Sequence, residues 1–454
     1  MTYAAAVSAL YALGHELGKP RKFDLAYMVT LAEALGNPQR RFPAVLIAGT
    51  NGKGSTSATL ASICRAVGYK TGLYTSPHLV NINERIQIDG EPISDAEFTE
   101  IYDRVREAGQ KLVAESKLPI APSFFEMLTA MAFEYFASSR IDIAILEVGM
   151  GGRLDATNVA DPCVSVITDV ALDHQQYLGN TIAEIAVEKA GIIRQNGVLV
   201  TLPQHPEAND AIGRIAVERN ARGVSATQYV PNVTPGAARF DNLRPSATQI
   251  GQFLRTRYFM EVMGEEILIE TPLVGRHQFR NVALAIAAAE ELNSCGFTIT
   301  AANVADGVRD TYWPGRFQLI PGMPGTPDYI LDVAHNPAGA WALRSALSEN
   351  FEGRPLTVIF GAMRDKAVTE MAQILFPLAE NVIATHADNP RAATPEQIQE
   401  MAKPFADVLI EPSVAAALNR ARAITPKNGV IVVTGSIYIV GDAFARLSTA
   451  HSRS

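Results

Sequence analysis

The chain is short of the features that mark several protein classes. Only three cysteines occur in 454 residues, Cys64, Cys163 and Cys295, widely spaced and in mostly apolar surroundings. That excludes a disulfide framework and a thiolate zinc site, and it fits a reducing compartment with each thiol a small buried hydrophobe. Positive charge is in the minority: 39 Lys and Arg face 47 Asp and Glu, a net charge of −8. A general nucleic-acid coat protein, which needs a basic surface, is thereby excluded. An anionic ligand is not, because a local backbone pocket binds one whatever the net charge. No stretch approaches the roughly 20 apolar residues needed to cross a bilayer. The longest candidate, 282–289, is short and Ala-rich and reads as a buried helix. The N-terminal segment places His15, Glu16 and Lys19 among small apolar residues, without the charged start, apolar run and cleavage site of a signal peptide. The expectation is a cytoplasmic protein with no membrane partner. Internal repeats and low-complexity tracts are also lacking.

What is present is ordinary globular composition, 48% hydrophobic and 19% charged, at a length that predicts two or three domains. Strand-like apolar runs at 43–48, 141–146, 163–168 and 198–202 alternate with helical patterns, as in a parallel sheet covered by helices on both faces. Between 224 and 271 the texture changes, and the runs 258–262 and 266–270 suggest hairpins or a long excursion. Helical spacing returns at 281–292, and a second α/β series follows, with strands near 329–333, 356–360, 382–385, 408–410 and 430–434. The expected fold is α/β: a P-loop parallel-sheet ATPase domain, 1–297, then a smaller Rossmann-like α/β domain, 298–454.

Gly49-Thr50-Asn51-Gly52-Lys53-Gly54-Ser55-Thr56 follows the first strand and opens a helix. Glycines there let backbone N–H groups turn inward, the helix N-terminus adds partial positive charge, and Lys53 adds a full one, which is the chemistry of phosphate binding. The match to G-x-x-x-x-G-K-[ST] is imperfect: Ile47 stands where glycine is usual, and Gly54 separates Lys53 from Ser55. Ser55 or Thr56 could add a hydroxyl. Glu147 ends the strand at 141–146 and precedes the glycine-rich 149–152, a position from which a carboxylate can hold Mg²⁺ against phosphate. His174 and Ser76 also follow strand ends. With Glu147 they make a set of hard oxygens and an imidazole that suits Mg²⁺ better than zinc. Lys189 lies on an expected helix, where the plain reading is a surface lysine.

Together these segments resemble the folylpolyglutamate synthase/dihydrofolate synthase family of the Mur ligase superfamily. The stretches that carry the resemblance are 49–56, 75–79, 84–86, 125–126, 146–158, 173–174, 188–193, 275–281, 313–317 and 332–337. The resemblance implies an ATP-dependent ligase that adds L-glutamate to dihydropteroate and to the γ-carboxylate of reduced folates through an acyl phosphate. It implies that Asn51, Gly52, Lys53, Gly54 and Ser55 hold the ATP phosphates, and that Ser76, Glu147 and His174 bind two magnesium ions. Lys189 would be carbamylated, and Lys53, Lys189 and His174 would be catalytic. Asn281, Arg316, Asp332 and His335 would contact the nucleotide; Ser123, Phe124, Phe125, Glu126 and Leu154 would face the pterin. Val333 departs from the family's Asp-Gly-Ala-His-Asn-Pro segment. The expected oligomeric state is a monomer. The alternatives are a monofunctional folylpolyglutamate synthase, a Mur-type peptidoglycan precursor ligase, and a P-loop switch ATPase.

Overall fold

A computed structural model describes residues 1–14, 24–232 and 254–451. The chain divides into two compact units, the first built from Met1–Pro231, Phe259–Leu268 and Arg280–Thr311. Its eight-stranded sheet runs in the order β4-β3-β2-β5-β1-β6-β7-β8. The strands are β1 (Ala44–Ala48), β2 (Thr71–Tyr74), β3 (Ile86–Ile88), β4 (Glu91–Pro92), β5 (Ile143–Glu147), β6 (Pro162–Ile167), β7 (Val198–Thr201) and β8 (Arg222–Ser225). From β2 to β8 the pairing is parallel, and β3 and β4 add an antiparallel edge. β1 and β5 are buried at every residue. Strands covered on both faces read as continuous apolar runs rather than alternating ones, which is why 43–48 and 141–146 are legible.

Four short strands, β2, β3, β4 and β8, escape that reading. β2 has four residues, and β8 is an edge strand with three of its four residues exposed. The apolar run at 282–289 lies in the helix Arg276–Asn293, where residues 282–289 are buried. The helix Lys53–Val67 buries small side chains from Gly54 to Cys64. Small residues let another helix, Ala301–Arg309, approach closely: a Cβ on Gly307 would lie 2.3 Å from Ile63 Cα.

The second unit includes residues 312–451 and Ile269–Phe279. β9 (Thr256–Val262) and β10 (Glu265–Thr271) form a two-stranded sheet, as the alternating runs suggest. Residues 233–253 of the expected excursion, and 15–23 near the N-terminus, lie outside the described residues. The second unit's sheet runs β11-β12-β16-β13-β14-β15. Its strands are β11 (Gln318–Ile320), β12 (Asp328–Leu331), β13 (Leu356–Phe360), β14 (Asn381–Ala384), β15 (Val408–Ile410) and β16 (Val430–Thr434). All pairs are parallel except β11 with β12. The α/β class with a large, mostly parallel sheet and a second, smaller one is therefore as expected. Among the described residues no helix is long and apolar enough to cross a membrane.

Candidate functional site

Four neighbouring parallel strands, β2, β5, β1 and β6, end on one edge of the first sheet. Ligands of open α/β sheets bind beyond the carboxyl ends of the strands, and the phosphate-loop residues, Ser76, Glu147 and His174 leave from this edge. β1 leads into the loop 49–52, β2 into Ser76, β5 ends on Glu147, and β6 leads towards His174.

The loop is fastened from behind. The Asp169 main-chain oxygen accepts the amides of Thr50 at 2.8 Å and Asn51 at 3.2 Å, and the Thr168 hydroxyl donates to the Asn51 oxygen at 2.7 Å. The Lys53–Val67 helix begins at once, with Gly52 as its left-handed N-cap at φ 89°. The first helical bond runs from Thr56 N to Gly52 O at 2.9 Å. The amides of Lys53, Gly54 and Ser55 then have no acceptor within the helix and form its positive end. Gly52 is required twice over. Its φ is costly for other residues, and a Cβ there would lie 2.1 Å from Asn281 Oδ1. Of the two candidate hydroxyls, Thr56 is committed elsewhere, donating to the Asn281 oxygen at 3.3 Å. Ser55 is buried at the helix start.

Two lysines meet at Gly49. Its carbonyl accepts Lys53 Nζ at 3.1 Å and Lys189 Nζ at 2.7 Å, and Lys53 also donates to Thr50 O at 3.2 Å. Lys189 is on the helix Ile182–Ala190 and is 3% exposed. The plain reading of a surface lysine is therefore wrong for this residue. Burial, reinforced by the like charge of Lys53, pushes its amine down to about 7, and Asp173 and Asp155 oppose that shift. Asp155 itself is buried, and burial raises its carboxyl although it accepts from Met150 N at 3.0 Å and from the Thr157 hydroxyl at 2.6 Å.

Glu147 is 4% exposed, and its Oε2 accepts the Ser76 amide at 3.2 Å. Ser76 and Glu147 are thus brought together. His174 leaves from the same edge in a left-handed conformation at φ 51°, and its amide donates to Asp173 Oδ1 at 2.9 Å. Among the described residues no three His, Cys, Asp or Glu side chains gather as a metal cluster. The donor set at Ser76 and Glu147 is hard oxygen and few in number. It fits Mg²⁺, which keeps several waters and takes the rest of its shell from phosphate.

Ser123 to Glu126 has a structural role of its own. Ser123 N donates to Glu126 Oε2 at 2.7 Å and Glu126 N to Ser123 Oγ at 3.3 Å, a capping box that starts the helix Phe124–Ser139. Phe124 is buried, stacked on Tyr11 with ring centroids 5.5 Å apart. Phe125 is half-buried against Gly149, in the glycine-rich loop after Glu147, and Leu154 is half-buried beyond it. In the second unit, the Asp332 carboxylate accepts Phe317 N at 2.8 Å and Ala334 N at 2.9 Å, tying the turn that carries Arg316 to the segment that carries His335. Burial raises the Asp332 carboxyl despite those bonds. His335 Nδ1 lies 3.1 Å from the Val333 oxygen.

Sequence reasoning assigned no role to Asp155, Asp169, Asp173 or Arg280, although Asp155, Asp173 and Arg280 lie in stretches that carry the resemblance. It also treated the cysteines as unrelated, yet the Cys295 thiol approaches the Cys163 oxygen at 3.8 Å. Burial pushes the Cys163 thiol up to about 12, away from the thiolate form.

Comparison with known proteins follows this geometry. The Mur ligase middle domain model matches residues 123–289, and the model of the Mur ligase glutamate ligase domain matches 315–437. The chain is similar to the dihydrofolate synthase/folylpolyglutamate synthase of Bacillus subtilis, 34% identical over 428 residues, covering 94% of this chain and 95% of that protein. It is 36% identical over 419 residues to the folylpolyglutamate synthase of Lacticaseibacillus casei, covering 92% of each. Among solved structures, Mycobacterium tuberculosis folylpolyglutamate synthase complexed with ADP and AMPPCP aligns with a TM-score of 0.83 at 33% identity, covering 98% of this chain and 99% of that one.

Proposed function

We propose the reaction from one premise: this chain belongs to the dihydrofolate synthase/folylpolyglutamate synthase family of Mur ligases. It is an ATP-dependent acid–amino-acid ligase. It joins L-glutamate to dihydropteroate and to the γ-carboxylate of reduced folates. The ATP-binding domain, expected over 1–297, is the first unit, which runs on through Arg280–Thr311, and the ligase domain, expected over 298–454, is the second, which resumes at Tyr312. The enzyme works as a cytoplasmic monomer with no nucleic-acid or membrane partner. The observation that carries this reading is the shared edge of β1, β2, β5 and β6, where an amide-lined loop, two lysines and a buried carboxylate meet.

A carboxylate and an ammonium do not condense usefully in water. In this enzyme a carboxylate oxygen of the acceptor takes the γ-phosphoryl of ATP, giving an acyl phosphate and ADP. The glutamate amine then attacks the carbonyl carbon, and phosphate departs with one of the original carboxylate oxygens. Lys53 and the amides of Lys53, Gly54 and Ser55, with Asn51 and Gly52 shaping the turn, cradle the transferring phosphoryl group and balance its charge. Asn281, Arg316, Asp332 and His335 hold the rest of the nucleotide. Ser76, Glu147 and His174 would hold two Mg²⁺, and the ions would supply charge neutralisation for the phosphate oxygens. Lys189, whose buried amine is pushed down to about 7, would as the free amine add carbon dioxide with loss of a proton, and the carbamate would supply a further carboxylate. Phe125 and Leu154 would present apolar surface to the pterin, and Ser123, Phe124 and Glu126, at the start of the helix Phe124–Ser139, would face it beside them.

A monofunctional folylpolyglutamate synthase is the second reading, favoured by the Lacticaseibacillus casei relative, which bears that name alone. Assaying the purified chain with dihydropteroate and tetrahydrofolate separately, each with ATP, Mg²⁺ and glutamate, distinguishes the two. Glutamate incorporation and ADP release are expected with both acceptors. Activity on the folate alone leaves the monofunctional enzyme, and activity on neither defeats the proposal. Lys53→Ala is expected to fold and to lose ligation with either acceptor; normal incorporation by that variant contradicts Lys53's role.

A further inference from the structure

We infer that Asp169 and Arg280 are a pair of positioning residues for ATP, acting through Asn281. The inference rests on the reading that the 49–56 loop takes the nucleotide.

Asp169 holds two things at once. Its main-chain oxygen accepts the amides of Thr50 and Asn51, so it sets the path of the phosphate loop. Its carboxylate receives Arg280 in a fork: Nε lies 3.1 Å from Oδ1 and 3.2 Å from Oδ2, and Nη2 lies 2.6 Å from Oδ1. Arg280 Nη2 also donates to the Pro203 oxygen at 3.0 Å, just beyond β7. A two-point guanidinium–carboxylate contact fixes rotation as well as distance.

Arg280 is in the helix Arg276–Asn293, and the next residue is Asn281. Successive residues of a helix point about 100° apart, so a side chain pinned at 280 sets the azimuth of its neighbour. Asn281 is 4% exposed. Its main-chain oxygen accepts the Thr56 hydroxyl at 3.3 Å, and its Oδ1 occupies the space left by the missing Cβ of Gly52. The same strand-end residue therefore places both the loop and the side chain that lies against it. Without the fork, the start of this helix loses its side-chain tie to the strand end that carries the loop, and the registration of Asn281 with the loop is weakened.

The experiment measures KM and kcat for ATP and for glutamate, with Tm, in Arg280→Ala, Arg280→Lys, Asp169→Ala, Asn281→Ala and the Arg280→Ala/Asn281→Ala double variant. Arg280→Ala and Asp169→Ala are expected to raise KM for ATP about three- to tenfold, leaving KM for glutamate and kcat nearly unchanged. Arg280→Lys keeps the charge but not the fork, and is expected to fall between Arg280→Ala and the native enzyme. In the Asn281→Ala background, Arg280→Ala is expected to add less than about twofold, because the residue through which it acts is already gone. The same factor in both backgrounds, or an unchanged KM for ATP in a folded Arg280→Ala enzyme, overturns the pair's role while the nucleotide site stands. If Asn281→Ala itself leaves KM for ATP unchanged, the nucleotide assignment of Asn281 falls and this inference falls with it.

Discussion

Among single residues, the buried amine of Lys189 is the one on which pH acts most directly. A lysine whose folded-state value is lowered to about 7 from the ordinary 10.5 binds fewer protons folded than unfolded between those values. Stability therefore rises with pH across that window, and below about 7 the fold must bury a charge. In carbon-dioxide-free buffer, the native protein is expected to gain Tm relative to Lys189→Met as pH climbs from 7 towards 10, and to be the less stable of the two at pH 6. A difference that is flat with pH would show that Lys189 is charged in the fold. Lys53 was legible in the sequence because its chemistry is local, a lysine at a strand-to-helix glycine turn. Lys189 was not, because what buries it is remote in the chain: the carbonyl it donates to belongs to Gly49, 140 positions away. Asp169 and Arg280 were illegible for the same reason, being separated by 111 positions.

At the scale of elements, legibility followed burial. The inner strands β1, β5, β6, β13 and β16 carry apolar side chains on both faces and announce themselves. The edge strands β4 and β8, with β3 beside β4 and the antiparallel β11, are short, and their neighbours rather than their own composition make them strands. Ser123 to Glu126 was read for a substrate role, and what the fold shows it doing is capping the helix Phe124–Ser139. The packing of Lys53–Val67 against Ala301–Arg309 was invisible in the sequence, because it depends on which small residues face each other. It is testable at Gly307. A methyl group there meets the main chain of Ile63 at 2.3 Å, and main chain cannot step aside as a flexible side chain can. Gly307→Ala is expected to lower stability by about 1–3 kcal/mol, read as a reduced denaturation midpoint. An unchanged midpoint would show that the two helices separate without cost.

For the whole molecule, the alternation of strands and helices was enough to indicate two α/β units, and the resemblance carried by the motifs implied a nucleotide-dependent ligase. The matches to the Mur ligase middle domain and the glutamate ligase domain agree with that indication. What the sequence could not supply is the machinery behind the loop, which is assembled from strand ends that only the sheet order brings together. The chemistry proposed for this machinery is activation of an acceptor carboxylate by phosphoryl transfer, and it leaves an isotopic trace. Dihydropteroate labelled with heavy oxygen in its carboxylate, turned over with ATP and glutamate, is expected to deliver one labelled oxygen to each inorganic phosphate released. Unlabelled phosphate, or label recovered in AMP, would contradict an acyl phosphate formed at the Lys53 loop.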